Sequence, residues 1–198
     1  MESEILDYWF EGIGDETSID KKKSPFNKWF AKSARIDQKI RMRFEPVLIQ
    51  AKRGDLRSLE KTARGRLALV ILYDQFSRNI YRDTPRMYAS DPQAIELTLR
   101  SIEDQMDRQL QCIERVFLYT PLMHAEDRQL QALALKHFQD LTKMIAQRYP
   151  FNAAYYQYTF GFVKNYYDII LRFGRFPHRN RILKRTSSSQ ELEFLAGR

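Results

Sequence analysis

Cysteine is almost missing from this chain of 198 residues: Cys112 stands alone, so no internal disulfide can form, and zinc-ribbon and iron–sulfur chemistry are excluded. Histidine is nearly as scarce, with His124, His137 and His178 only, and no His-Glu-x-x-His pattern joins any two of them. A metal site is therefore not expected, and neither is a cofactor. The phosphate-loop pattern, the dinucleotide glycine fingerprint and the Gly-x-Ser-x-Gly elbow are also missing. No apolar run approaches the roughly 20 residues that span a bilayer. The acids Glu2, Glu4 and Asp7 are a poor start for a signal peptide, so a cytoplasmic protein without a membrane partner is expected. Alternating Val/Ile/Thr-rich runs are lacking too, which argues against a β-sandwich or barrel.

What is present reads as helix. Ile36, Ile40, Phe44, Val47 and Leu48 recur at spacings of three or four, and so do Leu130, Leu133, Ala134, Phe138, Leu141 and Ile145. Pro46 predicts a kink or break in the first run, and Gly54 its end. A buried helix carries Leu67, Val70, Ile71 and Asp74, and Asp83-Thr84-Pro85 breaks it. Ser90-Asp91-Pro92 and Thr120-Pro121 read as helix starts. The second of these helices is expected to run toward Gln147 and close at Pro150. Asn152 is read as the cap of an aromatic helix to about Phe173, and Ser188-to-Glu191 as a capping box. Lys21-Lys22-Lys23 reads as a solvated loop. The expectation is one all-α domain over residues 1–198, with about seven to nine helices in antiparallel pairs.

Net charge is +8, and no acid interrupts the stretch between Asp168 and Glu191, where Arg172, Arg175, Arg179, Arg181, Lys184 and Arg185 fall. Three stretches hold the unusual polar residues. In the first, Asp74 and Arg78 are i,i+4 neighbours on a helix, as are Gln75 and Asn79, with Arg82 a turn further on. The second places His124, Glu126 and Asp127 near Gln131. On one helix His124, Asp127 and Gln131 share a face, and a carboxylate neighbour would fix the tautomer of His124. The third is Arg172–Asn180, irregular around Gly174 and Pro177, with the arginine forks suited to carboxylate or phosphate. Asp74, Glu126 and Asp127 are the acids available to neutralise its arginines.

These stretches are expected to meet in one pocket. His124, His178 and Glu126 are its candidate catalytic residues. Asp74, Gln75, Arg78, Asn79, Arg82, Gln131, Arg175, Arg179 and Asn180 are its candidate ligand contacts. The ligand expected is a small phosphate- or carboxylate-bearing anion, with hydrolysis the natural reaction. The plain alternative is that the same residues form an internal ionic scaffold. Two other partners are weighed: a protein or peptide docked in a helical groove, and, third, nucleic acid on the basic segment 172–185.

At Asp74–Arg82, at Phe117–Asp127 with Gln131, and at Arg172–Asn180 with Arg185, the chain resembles the uncharacterised bacterial family known as domain of unknown function 924. Asp7-Tyr8-Trp9-Phe10, Trp29-Phe30, Asp37 and residues 187–195 fit the same pattern. The resemblance implies an all-helical, tetratricopeptide-repeat-like fold, although no 34-residue repeat is visible in the sequence. It implies no established activity. Two positions depart from the family pattern: Tyr167 stands where a histidine is usual, and Met123 where an acid often precedes His124. Any chemistry resting on the first would be lost or altered here.

Overall fold

The computed structural model describes residues 1–19 and 24–197; the Lys21-Lys22-Lys23 run lies outside them. Ten α-helical segments follow one another: α1 (Glu2–Phe10), α2 (Ser24–Phe30), α3 (Ala34–Arg53), α4 (Ala63–Val70), α5 (Ser77–Ile80), α6 (Asp91–Glu103), α7 (Cys112–His124), α8 (Arg128–Arg148), α9 (Ala153–Phe173) and α10 (Ser189–Ala196). A π-helical segment, Ile71–Phe76, joins α4 to α5, so these form one rod and the described residues hold nine helices without a strand. None is long and apolar enough to cross a membrane.

The caps explain most boundaries. Ser33 accepts from the Ile36 N–H to open α3, and Gly54 closes it at φ 85°, a conformation glycine adopts without steric cost. Ser188 and Glu191 form the expected capping box of α10. Pro46 does not break α3. Core residues on both sides of it, Ile40 and Phe44 before and Val47 and Leu48 after, hold the two halves in one helix.

One expected start is corrected. Thr120-Pro121 lies inside α7, which begins at Cys112 after Glu114 reaches back to the Gln111 N–H at 3.0 Å. The buried run from Ile113 to Leu122 keeps the chain helical through the proline. The helix ends at His124, Ala125 is extended, and Asp127 caps α8 by accepting from Gln129 and Leu130 N–H at 2.8 and 2.9 Å. His124, Asp127 and Gln131 therefore do not share a helix face. Asn152 stands at the N-cap position of α9 as expected, but its side chain makes no capping bond; it pins the N-terminal loop, donating to the Asp15 and Thr17 carbonyls and accepting from Ile19 N–H.

The core is aromatic at its centre. Trp9 from α1 meets Phe76 at 5.5 Å and Phe117 of α7 at 5.4 Å between ring centroids, and Phe76 meets Phe44 of α3 at 4.5 Å. Short links make α7, α8 and α9 consecutive antiparallel neighbours. A smaller cluster of Ile169, Ile170 and Phe176 sits under the C-terminal segment.

Candidate functional site

The π turn creates the site. Ser77 N–H bonds back to the Leu72 carbonyl, five residues away, which widens the turn carrying Asp74 and Gln75. Asp74 is 1% exposed. Its Oδ1 accepts from His124 Nδ1 at 2.7 Å and faces Arg78 Nη1 at 3.0 Å, while Oδ2 accepts from Gln75 Nε2 at 2.6 Å. The expected Asp74–Arg78 pair thus forms. Arg78 also grips Asp91, at the start of α6, with two parallel bonds of 2.9 and 3.0 Å. Arg179 arrives from the C-terminal segment. It donates Nη2 to the His124 carbonyl at 2.8 Å, lies 3.6 Å from Asp91, and stacks over the Tyr88 and Phe176 rings.

Charge counting fixes the protonation of this cluster. Two carboxylates, Asp74 and Asp91, face two guanidiniums, Arg78 and Arg179, so a proton on His124 would be an uncompensated buried charge. Burial, reinforced by Arg78, pushes the His124 pKa below its ordinary value despite Asp74. Burial alone would raise Asp74, but Arg78 and His124 hold it down to about 2. The result at neutral pH is an ionised aspartate accepting from the Nδ1–H of a neutral imidazole, whose remaining nitrogen, Nε2, carries a lone pair.

His124 lines a cavity of about 380 Å³, within the usual size of small-molecule sites, about 300–1,000 Å³. Gln75, Arg78, Asn79 and Arg82 form its polar wall, and the rings of Trp29, Phe30, Phe117, Phe138, Tyr158, Phe162 and Tyr166 much of the rest. Asn79 and Arg82 are held by Asp37 of α3: Asn79 Nδ2 and Arg82 Nη2 both reach Oδ1 at 2.8 Å, and Arg82 Nε bonds Oδ2. Arg82 Nη1 makes no hydrogen bond among the described residues. Lys28 and Lys32 line the cavity as well. Lys28 pairs with Glu11 at 2.6 Å, whereas Lys32 has no carboxylate partner among the described residues. Among the described residues, none that lines the cavity is acidic. No group of three or more potential metal ligands occurs among the described residues.

The sequence candidates divide in two. Gln75, Arg78, Asn79, Arg82 and His124 line the cavity, with Asp74 directly behind them. The others do not line it. Gln131 is fully buried and donates to the Met123 and Ala125 carbonyls, tying α8 to the end of α7. Arg175 grips Glu191 with bonds of 2.7 and 2.8 Å, and Asn180 bonds Ser187, Glu191 and Arg185. His178 packs near the rings of Tyr166 and Phe176. Glu126, two residues past His124 on the extended link, points the other way. It accepts from Arg185 at 2.6 and 2.9 Å and from Phe176 N–H at 2.7 Å. Of the acids expected to neutralise the C-terminal arginines, Glu126 pairs with Arg185, whereas Arg175 meets Glu191 and Arg179 lies nearest Asp91. Half of the basic run 172–185 (Arg175, Arg179 and Arg185) is engaged inside the protein.

Glu126 is consequently a latch on the C-terminal segment. Glu126→Ala leaves the Phe176 N–H without its acceptor, an unmade bond worth about 1–3 kcal/mol where buried, and leaves Arg185 only its bonds to Asn180 and the Phe176 carbonyl. We expect faster limited proteolysis within residues 181–188 while ligand binding in the cavity persists; unchanged proteolysis would exclude the latch.

Asp91, Asp37 and the aromatic wall escaped the sequence reading. Asp91 was hidden in a helix-start signal, and Asp37 stood out only through the family resemblance. Tyr158, Phe162 and Tyr166 recur every four residues, a spacing that marks one helix face and was legible in principle. Tyr167, at the position of the family's usual histidine, is not a cavity-lining residue; its neighbour Tyr166 is.

The family described as "Bacterial protein of unknown function (DUF924)" matches residues 5–198. Among solved structures, a protein of unknown function from Agrobacterium tumefaciens, ATU0120, is similar at 34% identity and a TM-score of 0.78, over 98% of this chain and 96% of that one. No curated protein matches.

Proposed function

The chain belongs to that family of bacterial proteins of unknown function, and from that premise we propose that its cavity binds a small phosphate- or carboxylate-bearing molecule and hydrolyses it, with His124 as general base. One observation carries this reading: a histidine bound through Nδ1 to a buried aspartate stands on the wall of a cavity whose lining charges, among the described residues, are all positive. In the step envisaged, Nε2 takes a proton from water as the water oxygen bonds to the phosphoryl or acyl centre of an ester; Asp74 stabilises the imidazolium, which returns that proton to the leaving oxygen as its bond to the centre breaks. Arg82, through Nη1, and Lys32 hold the anionic group. Arg78 is committed to Asp74 and Asp91, and Arg179 does not line the cavity; the two keep the Asp74–His124 unit in place. A cytoplasmic setting remains part of this reading, on composition alone.

The pH dependence has a definite sign. The working form of His124 is neutral and its pKa lies below the ordinary 6.5. Turnover should be full at pH 7 and fall as pH drops through a value under 6.5. A panel of phosphate monoesters and carboxylate-bearing esters should show this acid limb in kcat/KM. His124→Ala should abolish turnover and leave binding intact. Turnover by the alanine variant, or a flat profile down to pH 4.5, would sink the assignment.

A peptide-docking reading is favoured by the exposed rings of Phe30, Tyr158 and Phe162 at the same cavity, and by the consecutive packing of α7, α8 and α9. It requires an open groove that accepts extended chains. Competition between short acidic peptides and small anions at this cavity distinguishes the two.

A further inference from the structure

The cavity has a second chemical character besides charge. Tyr158, Phe162 and Tyr166 of α9 stand four residues apart, so they share one face of the helix. Tyr158 and Phe162 meet edge to face, 4.8 Å between centroids at 90°, and Tyr166 lies 6.3 Å from the imidazole of His124. The ladder therefore runs up to the candidate base. Its outer rungs do little for the core. Tyr158 is 38% and Phe162 40% exposed, and Phe30 of α2, 6.5 Å from Tyr158, is 43% exposed. The exposed rings of Phe162 and Phe30 at a cavity are apolar surface that a ligand could cover. Edge-to-face rings present both π faces and positive ring edges, the complement of another planar ring rather than of a flexible chain. Lys32, without a carboxylate partner among the described residues, and Arg82 Nη1 line the same cavity.

We propose that the ligand is an aromatic anion: a planar ring seated on the Tyr158–Phe162–Tyr166 ladder, bearing a phosphate or carboxylate that meets Lys32 and Arg82. This rests on the anion-binding reading above and adds the ring to it. The position of the ladder beside His124 then places the bond to be hydrolysed next to the ring-bearing part of the substrate.

Non-hydrolysable probes test it by calorimetry on the full chain, with Trp29 in the cavity wall as a fluorescence reporter. 1-Naphthylphosphonate or 1-naphthoate should bind one to one, at least about tenfold tighter than methylphosphonate, hexylphosphonate or 1-naphthol. Phe162→Ala and Lys32→Ala should each weaken the tight probe by about tenfold, since one ring contact or one ligand-facing charge is removed. Both positions are exposed, so the variants should unfold at the wild-type midpoint and the loss reads binding alone. Methylphosphonate or hexylphosphonate binding as tightly as the naphthyl anion would overturn the aromatic proposal and leave the anion site standing. Naphthol binding equally well would remove the anionic requirement and both readings with it. No binding by any probe would end both as well.

Discussion

Asp74→Asn should lower the stability of the protein by about 3–5 kcal/mol, the usual consequence of removing one partner from a buried ion pair. The carboxylate is 1% exposed and meets three side chains, Arg78, His124 and Gln75. An asparagine of the same shape cannot accept all three, because one of its two termini is a donor. It also leaves Arg78 and Arg179 facing Asp91 alone, one positive charge in excess inside the protein. Urea unfolding at pH 7 measures the loss, and a change under about 1 kcal/mol would show that the cluster is solvated or dispensable. The pH dependence provides a second check. The folded pKa of Asp74, about 2, is below the unfolded value near 3.8, so its stabilisation is present above pH 3.8 and lost as pH falls toward 2. The gap between wild type and variant should therefore shrink over that window.

Local signals in the sequence reached the helices and one wall of the site, and stopped where tertiary packing takes over. Gly54, Ser33 and the Ser188–Glu191 box specify their own ends because a cap needs only residues a few positions apart. The Asp74–Arg78 spacing was equally local. Thr120-Pro121 misled because proline tolerates the first helical turn, and only the buried run around it shows that α7 passes straight through. Glu126 and His124 look equivalent along the chain, yet the extended Ala125 between them sends one to the cavity and the other to Arg185. The stretch Arg172–Asn180 divides in the same way. After Gly174 turns the chain at φ 70°, Arg175 reaches outward to Glu191, and Arg179 goes inward to the His124 carbonyl. Which arginine faces which acid is set by backbone direction, which residue types do not encode. Part of the ionic-scaffold alternative is thereby realised: Arg175, Asn180, Glu126 and Gln131 hold the structure, and the cavity belongs to the earlier stretches.

The second large effect is expected from Phe76→Ala. Phe76 is fully buried on the π turn, between Phe44 at 4.5 Å, Trp9 at 5.5 Å and Tyr8 at 6.0 Å. Deleting the ring opens a cavity among large, mutually packed side chains that have little room to collapse, at a cost of about 3–5 kcal/mol. Phe162→Ala removes the same atoms from a ring that is 40% exposed, and should stay within about 0.5 kcal/mol. Urea unfolding of the two variants side by side separates burial from residue type; equal losses would mean that Phe162 is covered in solution and that the aromatic cavity is closed. A further consequence follows from position. Phe76 anchors the turn that carries Asp74 and Gln75, so its loss should weaken naphthylphosphonate binding and loosen the His124–Asp74 bond, although Phe76 does not line the cavity. The π turn makes that coupling possible: within one widened turn, Phe76 is rooted in the core while Asp74 and Gln75 are left beside the cavity, so the rigidity of the proposed base is inherited from the aromatic core beneath it.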